Sequence, residues 1–273
     1  MIHAQYLQVD GVLSFVLTEG DPSAPAVVCL HTAGQNGVQW RHVQSELAAR
    51  GWYVVVPDLP GHGKSEPHPD GPVRDLGDYA AWCEHLIDTL ELETPYIVGC
   101  SIGGRIAIDL AVRRSHRLSG VVAMAAHGGS DTVDAGLDVQ SLERELIDAA
   151  APSRSDRTYL GTHAVLGPSV PQAQRETIAL MHRREDPEVS NSDLIGWVSH
   201  DVFAGLSSIR CPVHVVIGEA DLWLTPDAGR RTAAEISRAR FTLLPGIGHY
   251  PMEELQDGAG QVDAWLRDLE GTA

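Results

Sequence analysis

No stretch of this 273-residue chain stays apolar for the roughly 18–20 residues that a membrane span needs, so a transmembrane helix is not expected. The opening ten residues lack a basic patch followed by an apolar core, so no secretory leader is read there and the expected location is cytoplasmic. Cysteine is scarce. Cys29, Cys83, Cys100 and Cys211 form no CxxC pair, and they sit in or beside apolar strand-like runs or, for Cys83, a helix-like one. That placement points to buried free thiols rather than disulfides or a metal site. Positive charge is short too: 20 Lys and Arg stand against 37 Asp and Glu, for a net charge of −17. Such a chain suits neither nucleic acid nor anionic membrane surfaces, which leaves a small molecule as the expected partner and homo-oligomerisation open. Internal repeats and low-complexity tracts are also missing.

What is present is an alternation of short apolar runs and helical stripes. Tyr6–Val9 and Val12–Leu17 read as two antiparallel strands around Asp10-Gly11. Ala26–His31, Trp52–Pro57, Tyr96–Cys100 and Val121–Ala125 are continuous apolar runs, as expected of strands buried on both faces. Between them, Val38–Arg50, Asp78–Leu92 and Ile102–Arg114 read as helices. The alternation stops over residues 128–205. There, Val139, Leu142, Leu146 and Ile147 make one helical stripe, Pro171 opens a helix carrying Ile178 and Met181, and Leu194, Ile195, Trp197 and Val198 follow Ser190 or Ser192 as a helix cap. It returns with strand Val213–Ile217, helix Asp227–Ser237, strand Arg240–Leu244 and helix Glu253–Leu269. Strands alternating with helices imply a mostly parallel, doubly wound sheet. The expected division is an α/β core, 1–127 and 206–273, with 128–205 inserted as a helical cap over the strands' carboxyl ends, where open α/β sheets bind ligands.

The sharpest local signal is Gly99-Cys100-Ser101-Ile102-Gly103, between the strand YIVGC and the helix RIAIDLA. It is a G-x-S-x-G elbow in its strand–turn–helix setting. A serine on so tight a turn takes strained backbone angles, and the glycines make room where any Cβ would clash. Its hydroxyl then projects at a helix N-terminus, which favours developing negative charge.

His31-Thr32-Ala33-Gly34 ends the strand 26–31, and Asp58-Leu59-Pro60-Gly61-His62-Gly63-Lys64-Ser65 follows the next one, matching D-x-x-G-H-G-x-S. With the elbow, these residues make the chain resemble the α/β-hydrolase superfamily in its core-plus-cap branch, from about Ala26 to Trp265. The resemblance implies that the backbone N–H groups of Ala33 and Ile102 form the oxyanion hole, with Gly34 a further donor candidate because Thr32 replaces the usual glycine. It makes His31 and His62 structural. It also implies the order serine, acid, histidine. His249, in the turn Gly246-Ile247-Gly248-His249-Tyr250-Pro251, is then the base. Asp221, in Gly218-Glu219-Ala220-Asp221 after the penultimate strand, is the acid, with Glu219 and Asp227 as local alternatives and Asp131 as the alternative after the earlier strand.

No metal or organic cofactor is implied. The cap is expected to roof the pocket, with Trp197, Leu160, Val165 and Met181 as candidate lining, joined by Trp223 two residues after the acid. No cluster of Arg or Lys stands in the catalytic loops, and Arg105 is expected in a packing or surface role. A neutral, moderately apolar ester or lactone is therefore the expected substrate. A carbon–carbon hydrolase acting on a diketone or vinylogous keto acid is the alternative, and a slow-turnover ligand receptor is an alternative of another class.

Overall fold

The computed structural model describes residues 1–129, 137–148, 150–151 and 153–271. Asp131 therefore lies outside the described residues.

The chain opens with a hairpin, β1 (His3–Val9) and β2 (Val12–Glu19). Asp10 and Gly11 join the two strands with φ of 47° and 77°, the paired positive angles of a tight hairpin turn. The parallel part follows: β3 (Ala26–Leu30), α1 (Gln44–Ala49), β4 (Tyr53–Pro57), α2 (Leu76–Thr89), β5 (Tyr96–Cys100), α3 (Ile102–Arg114) and β6 (Gly120–Met124). Four helices come next: α4 (Val139–Ile147), α5 (Arg154–Val165), α6 (Gln172–His182) and α7 (Pro187–Ser199). The chain closes with β7 (Val213–Gly218), α8 (Pro226–Glu235), β8 (Ala239–Leu244), α9 (Pro251–Glu254) and α10 (Gly258–Glu270). Among the described residues no helix is long and apolar enough to cross a membrane.

One eight-stranded sheet runs in the order β1-β2-β4-β3-β5-β6-β7-β8. Only the β1–β2 and β2–β4 pairs are antiparallel. Strands β3, β5, β6 and β7 are almost wholly buried, because helices cover both faces. One buried cluster lies under α2 and α3, with Trp82, Ile97 and Ile106, and the other under α1 and α10, with Trp40, Trp52 and Trp265. All four cysteines are buried and free.

Three helices differ from the sequence expectation. The segment 38–50 is broken: a short 3₁₀ turn, Gly37–Trp40, precedes α1. Asn36 and Asp58 carboxamide and carboxylate oxygens accept the first N–H groups, from Val38 at 3.0 Å and Gly37 at 2.7 Å, and hold that turn tight. The last helix is likewise two. Glu254 folds back onto nearby amides, and Asp257 accepts the Gly260 N–H at 2.8 Å, starting α10 afresh. In the inserted segment α7 begins earlier than Ser190 or Ser192. Asp186 is its cap, accepting from Glu188 and Val189 N–H at 2.9 and 3.1 Å, and both serines lie buried inside the helix. Helix α5 carries no sequence signal of its own, since RSDRTYLGTHAV has no apolar stripe.

Candidate active site

Strand β5 delivers Ser101 to a turn with φ 56° and ψ −120°. A non-glycine residue held there costs on the order of 1–3 kcal/mol, supplied by the surrounding packing. Its N–H bonds the Met124 carbonyl at 3.0 Å. The glycines are required by space: a Cβ on Gly99 would lie 2.1 Å from the Gly103 carbonyl oxygen, and one on Gly103 would lie 2.5 Å from that of Leu30. Ser101 precedes α3 in the capping position, yet its hydroxyl makes no capping hydrogen bond. The Oγ is therefore not spent on the helix.

His249 and Asp221 meet from separate loops, after β8 and β7. Nδ1 of the imidazole lies 2.7 Å from Asp221 Oδ2. Asp221 Oδ1 accepts the N–H groups of Trp223 at 2.9 Å and Leu224 at 3.2 Å, so the carboxylate is fixed from both sides. An acceptor on Nδ1 places the proton there and leaves the Nε2 lone pair to take a proton from elsewhere. Ser101 and His249 share the wall of one cavity, though among the described residues no hydrogen bond joins them. Such bonds are often long in unliganded enzymes. Of the alternative acids, Glu219 accepts from the Gly246 N–H at 3.3 Å and Asp227 pairs with Arg230 at 3.1 Å.

Glu254, which the sequence reading missed, holds the histidine turn. Its Oε2 accepts from Gly248 at 2.7 Å and Gly167 at 2.8 Å, and its Oε1 from Tyr250 at 2.8 Å. Burial pushes this carboxyl's pKa up against the pull of the three donors.

The turn after β3 carries four amides, and three are committed. Thr32 donates to Gln39 Oε1 at 3.0 Å, Gly34 to Asp193 Oδ2 at 2.8 Å, and Gln35 to the Thr32 carbonyl at 3.1 Å. Ala33, on the cavity wall, keeps its N–H unbonded among the described residues. So does Ile102, because the first amides of a helix have no partner within it. Gly34 is corrected as a donor candidate: its N–H is already taken by Asp193.

The model of the alpha/beta hydrolase fold family matches residues 25–254. The chain belongs to that family. Among curated relatives, it is 27% identical over 262 residues to the 2-hydroxy-6-oxononadienedioate/2-hydroxy-6-oxononatrienedioate hydrolase of Cupriavidus pinatubonensis, covering 90% of this chain and 88% of the relative. Among solved structures, the 2-hydroxy-6-oxo-6-phenylhexa-2,4-dienoate hydrolase of Rhodococcus sp. strain RHA1 superposes with a TM-score of 0.81 at 23% identity, covering 98% of this chain and 99% of that one. The enol-lactonase of Burkholderia xenovorans LB400 does so with a TM-score of 0.79 at 21% identity, again over 98% and 99%. At those identities the structural likenesses establish the fold alone.

In this α/β hydrolase the two motif histidines differ in charge. His31 is neutral in its bonding: Nδ1 donates to the Thr32 carbonyl at 2.9 Å and Nε2 accepts the Leu59 N–H at 3.0 Å. Burial, helped by His62, pulls its pKa well below the usual range. His62 has acceptors on both nitrogens, the Pro60 carbonyl at 3.1 Å and Asp193 Oδ2 at 2.8 Å. Burial lowers its pKa, but the Asp193 carboxylate and these hydrogen bonds outweigh burial and leave it raised.

The cavity, about 220 Å³, lies between the strands' carboxyl ends and helices α5 and α7. Trp197 and Trp223 stand on its wall. Arg105 is 2% exposed, lies 3.9 Å over the Trp197 ring and bonds the Trp197 carbonyl, so its role is packing. Three expected lining residues are corrected. Leu160 is 65% exposed, Val165 is buried with its carbonyl taking the His249 N–H at 3.1 Å, and Met181 is off the wall. The reason is the phase of α5: Arg154, Arg157, Thr158 and Gly161, spaced i, i+3, i+4 and i+7, face the cavity. That polar stripe was the readable signal. It also brings cations to the wall from outside the catalytic loops: Arg154 and Arg157 reach it, sharing Glu145, which lies 3.6 Å from Arg154.

Proposed function

We propose that this hydrolase cleaves a small ester or lactone through an acyl-enzyme on Ser101, with residues 128–205 as a cap over the core. Ser101 Oγ attacks the carbonyl carbon and its proton passes to His249 Nε2. The oxygen's developing charge is received by the Ala33 and Ile102 amides, and losing one such donor typically costs about 3 kcal/mol. Asp221 stabilises the imidazolium. Collapse breaks the carbonyl carbon–oxygen bond, His249 protonates the leaving oxygen, and a water deprotonated by His249 then releases the acid and frees Ser101.

The observation that carries this reading is the shared cavity: an uncommitted serine hydroxyl, an imidazole anchored by a carboxylate and a wall amide with no partner line one space of about 220 Å³. The test is turnover of short-chain esters and lactones by the wild type and Ser101→Ala, with rapid-quench mass spectrometry for the acyl adduct. Full activity in Ser101→Ala overturns the mechanism. A single burst without further turnover would instead indicate a ligand receptor.

A carbon–carbon hydrolase is the second reading, and the arginine pair favours it. Two guanidinium groups stand on the wall and share Glu145, which lies off it, while burial raises the pKa of Glu185, the carboxyl beside them on the wall; the pair can therefore meet an acid-bearing substrate. The 27% identical relative is named for cleaving a dioate. Comparing a vinylogous keto acid with a neutral ester in wild type and Arg154→Gln/Arg157→Gln separates the readings. Loss confined to the acid supports this one, and equal rates in both proteins count against it.

A further inference from the structure

The turn that carries Ala33 is held by a buried carboxylate from outside the core. Asp193, on α7 of the inserted segment, is fully buried. Its Oδ1 accepts the Tyr79 hydroxyl at 2.9 Å, and its Oδ2 accepts both the Gly34 N–H and His62 Nε2–H at 2.8 Å. One side chain thus joins the turn after β3, the Gly61-His62-Gly63 loop after β4, helix α2 and helix α7. A carboxylate with three donors and a cationic partner is rigidly satisfied, whereas either charge alone in this interior is costly.

The turn needs that anchor. The bond from the Gln35 N–H to the Thr32 carbonyl closes it, with Ala33 and Gly34 at the centre. Gly34 has φ +67°, so the central peptide is in the orientation that a type II turn requires. Among the described residues only Asp193 bonds the N–H of that peptide. With the acceptor gone, the central peptide is free to turn over; the Ala33 N–H lies on the peptide before it, whose Thr32 carbonyl accepts from His31 Nδ1 at 2.9 Å and the Gln35 N–H at 3.1 Å, and it shifts as far as that closing bond to Gln35 loosens. Space around Gly34 leaves no second arrangement for a side chain, since a Cβ there would lie 2.5 Å from Glu185 Oε2 and 2.7 Å from Ser190 Cβ.

We infer that Asp193 is a positioning residue for the oxyanion site: through Gly34 it fixes the Ala33 amide, and it makes the seating of α7 a condition of catalysis. The inference rests on the serine-hydrolase reading above. The experiment compares Asp193→Ala, which removes the acceptor, with Asp193→Asn, whose amide oxygen still reaches Gly34. Substrate turnover and inhibition by an alkylboronic acid, which Ser101 converts to a tetrahedral anion, are both measured, with melting temperature as the check on folding.

Asp193→Ala is expected to lower kcat about 10–100-fold, somewhat less than outright loss of a donor. KM should stay within about threefold, and boronate affinity should fall by the same factor as kcat. Asp193→Asn should recover most of both. A folded Asp193→Ala with unchanged kcat overturns the inference, and so does a fall in kcat that leaves boronate affinity intact. Should Asp193→Ala fail to fold, the double variant Asp193→Leu/His62→Leu removes both buried charges at once, and the same kcat and boronate losses are expected. Activity surviving in Ser101→Ala would bring down the underlying reading. An inactive Ser101→Ala beside an unaffected Asp193→Ala would bring down this inference alone.

Discussion

Replacing Asp221 with Asn should be far more damaging than the loss of one charge suggests. The two carboxylate oxygens face different partners: Oδ1 takes backbone N–H groups of Trp223 and Leu224 at 2.9 and 3.2 Å, while Oδ2 lies 2.7 Å from His249 Nδ1. An asparagine must keep its oxygen toward the two backbone donors, because an amide nitrogen there would leave both unbonded. Its NH₂ then faces Nδ1, which must accept. The imidazole proton moves to Nε2, and the lone pair that should take the Ser101 proton is gone. For that inverted tautomer the expected loss in kcat is about 10⁴-fold, equivalent to about 5.4 kcal/mol of barrier. The fold should survive, since the side chain keeps its shape and two of its hydrogen bonds. The assay is steady-state hydrolysis of a short-chain nitrophenyl ester, with Ser101→Ala as the floor and Asp131→Asn as the control. Retention of more than about a tenth of wild-type activity by Asp221→Asn would refute the tautomer argument. A larger loss in Asp131→Asn would move the acid to that position.

Gly99→Ala should cost at least about 3 kcal/mol by urea unfolding, because its Cβ meets the Gly103 carbonyl at 2.1 Å and backbone on both sides must shift. Stability should fall as pH rises above about 6.5, the histidine value in the unfolded chain, because folded His62 keeps its proton to higher pH. Urea titrations between pH 6.5 and 8.5 should show that slope in the wild type and lose it in His62→Gln. Trp223→Ala, which removes an indole whose ring lies 4.8 Å from that of His249, should raise KM for small esters several-fold while leaving kcat within about threefold; a kcat effect alone would count against a wall role.

The middle of the sheet was legible because β3, β4, β5, β6 and β7 are buried on both faces and read as unbroken apolar runs between turn residues. Ser101, His249 and Asp221 could be picked out because each follows a strand, the first and second in glycine-bracketed turns, and because the family resemblance implies the order serine, acid, histidine. The cavity wall was not legible by the same logic. An apolar pattern points to Leu160, Val165 and Met181 as lining, yet on α5 the side chains facing the cavity are Arg154, Arg157 and Thr158, while Leu160 points to solvent. A helix laid over a polar site inverts the usual rule that the apolar face looks inward. Glu254 and Asp193 were invisible for another reason. Each accepts backbone N–H groups from loops distant in sequence, and no spacing pattern marks such a bond. Asp193 meets Gly34 across 159 positions.

The anchoring of the β3 turn bears on how this scaffold can be re-engineered. Trimming away α4–α7 to open the pocket, or transplanting a lid from another hydrolase, would strip the acceptor from the Gly34 amide, next to the Ala33 amide proposed to receive the oxyanion. A successful transplant must therefore import a carboxylate at the site of Asp193, or retire the positive partner at His62 along with it.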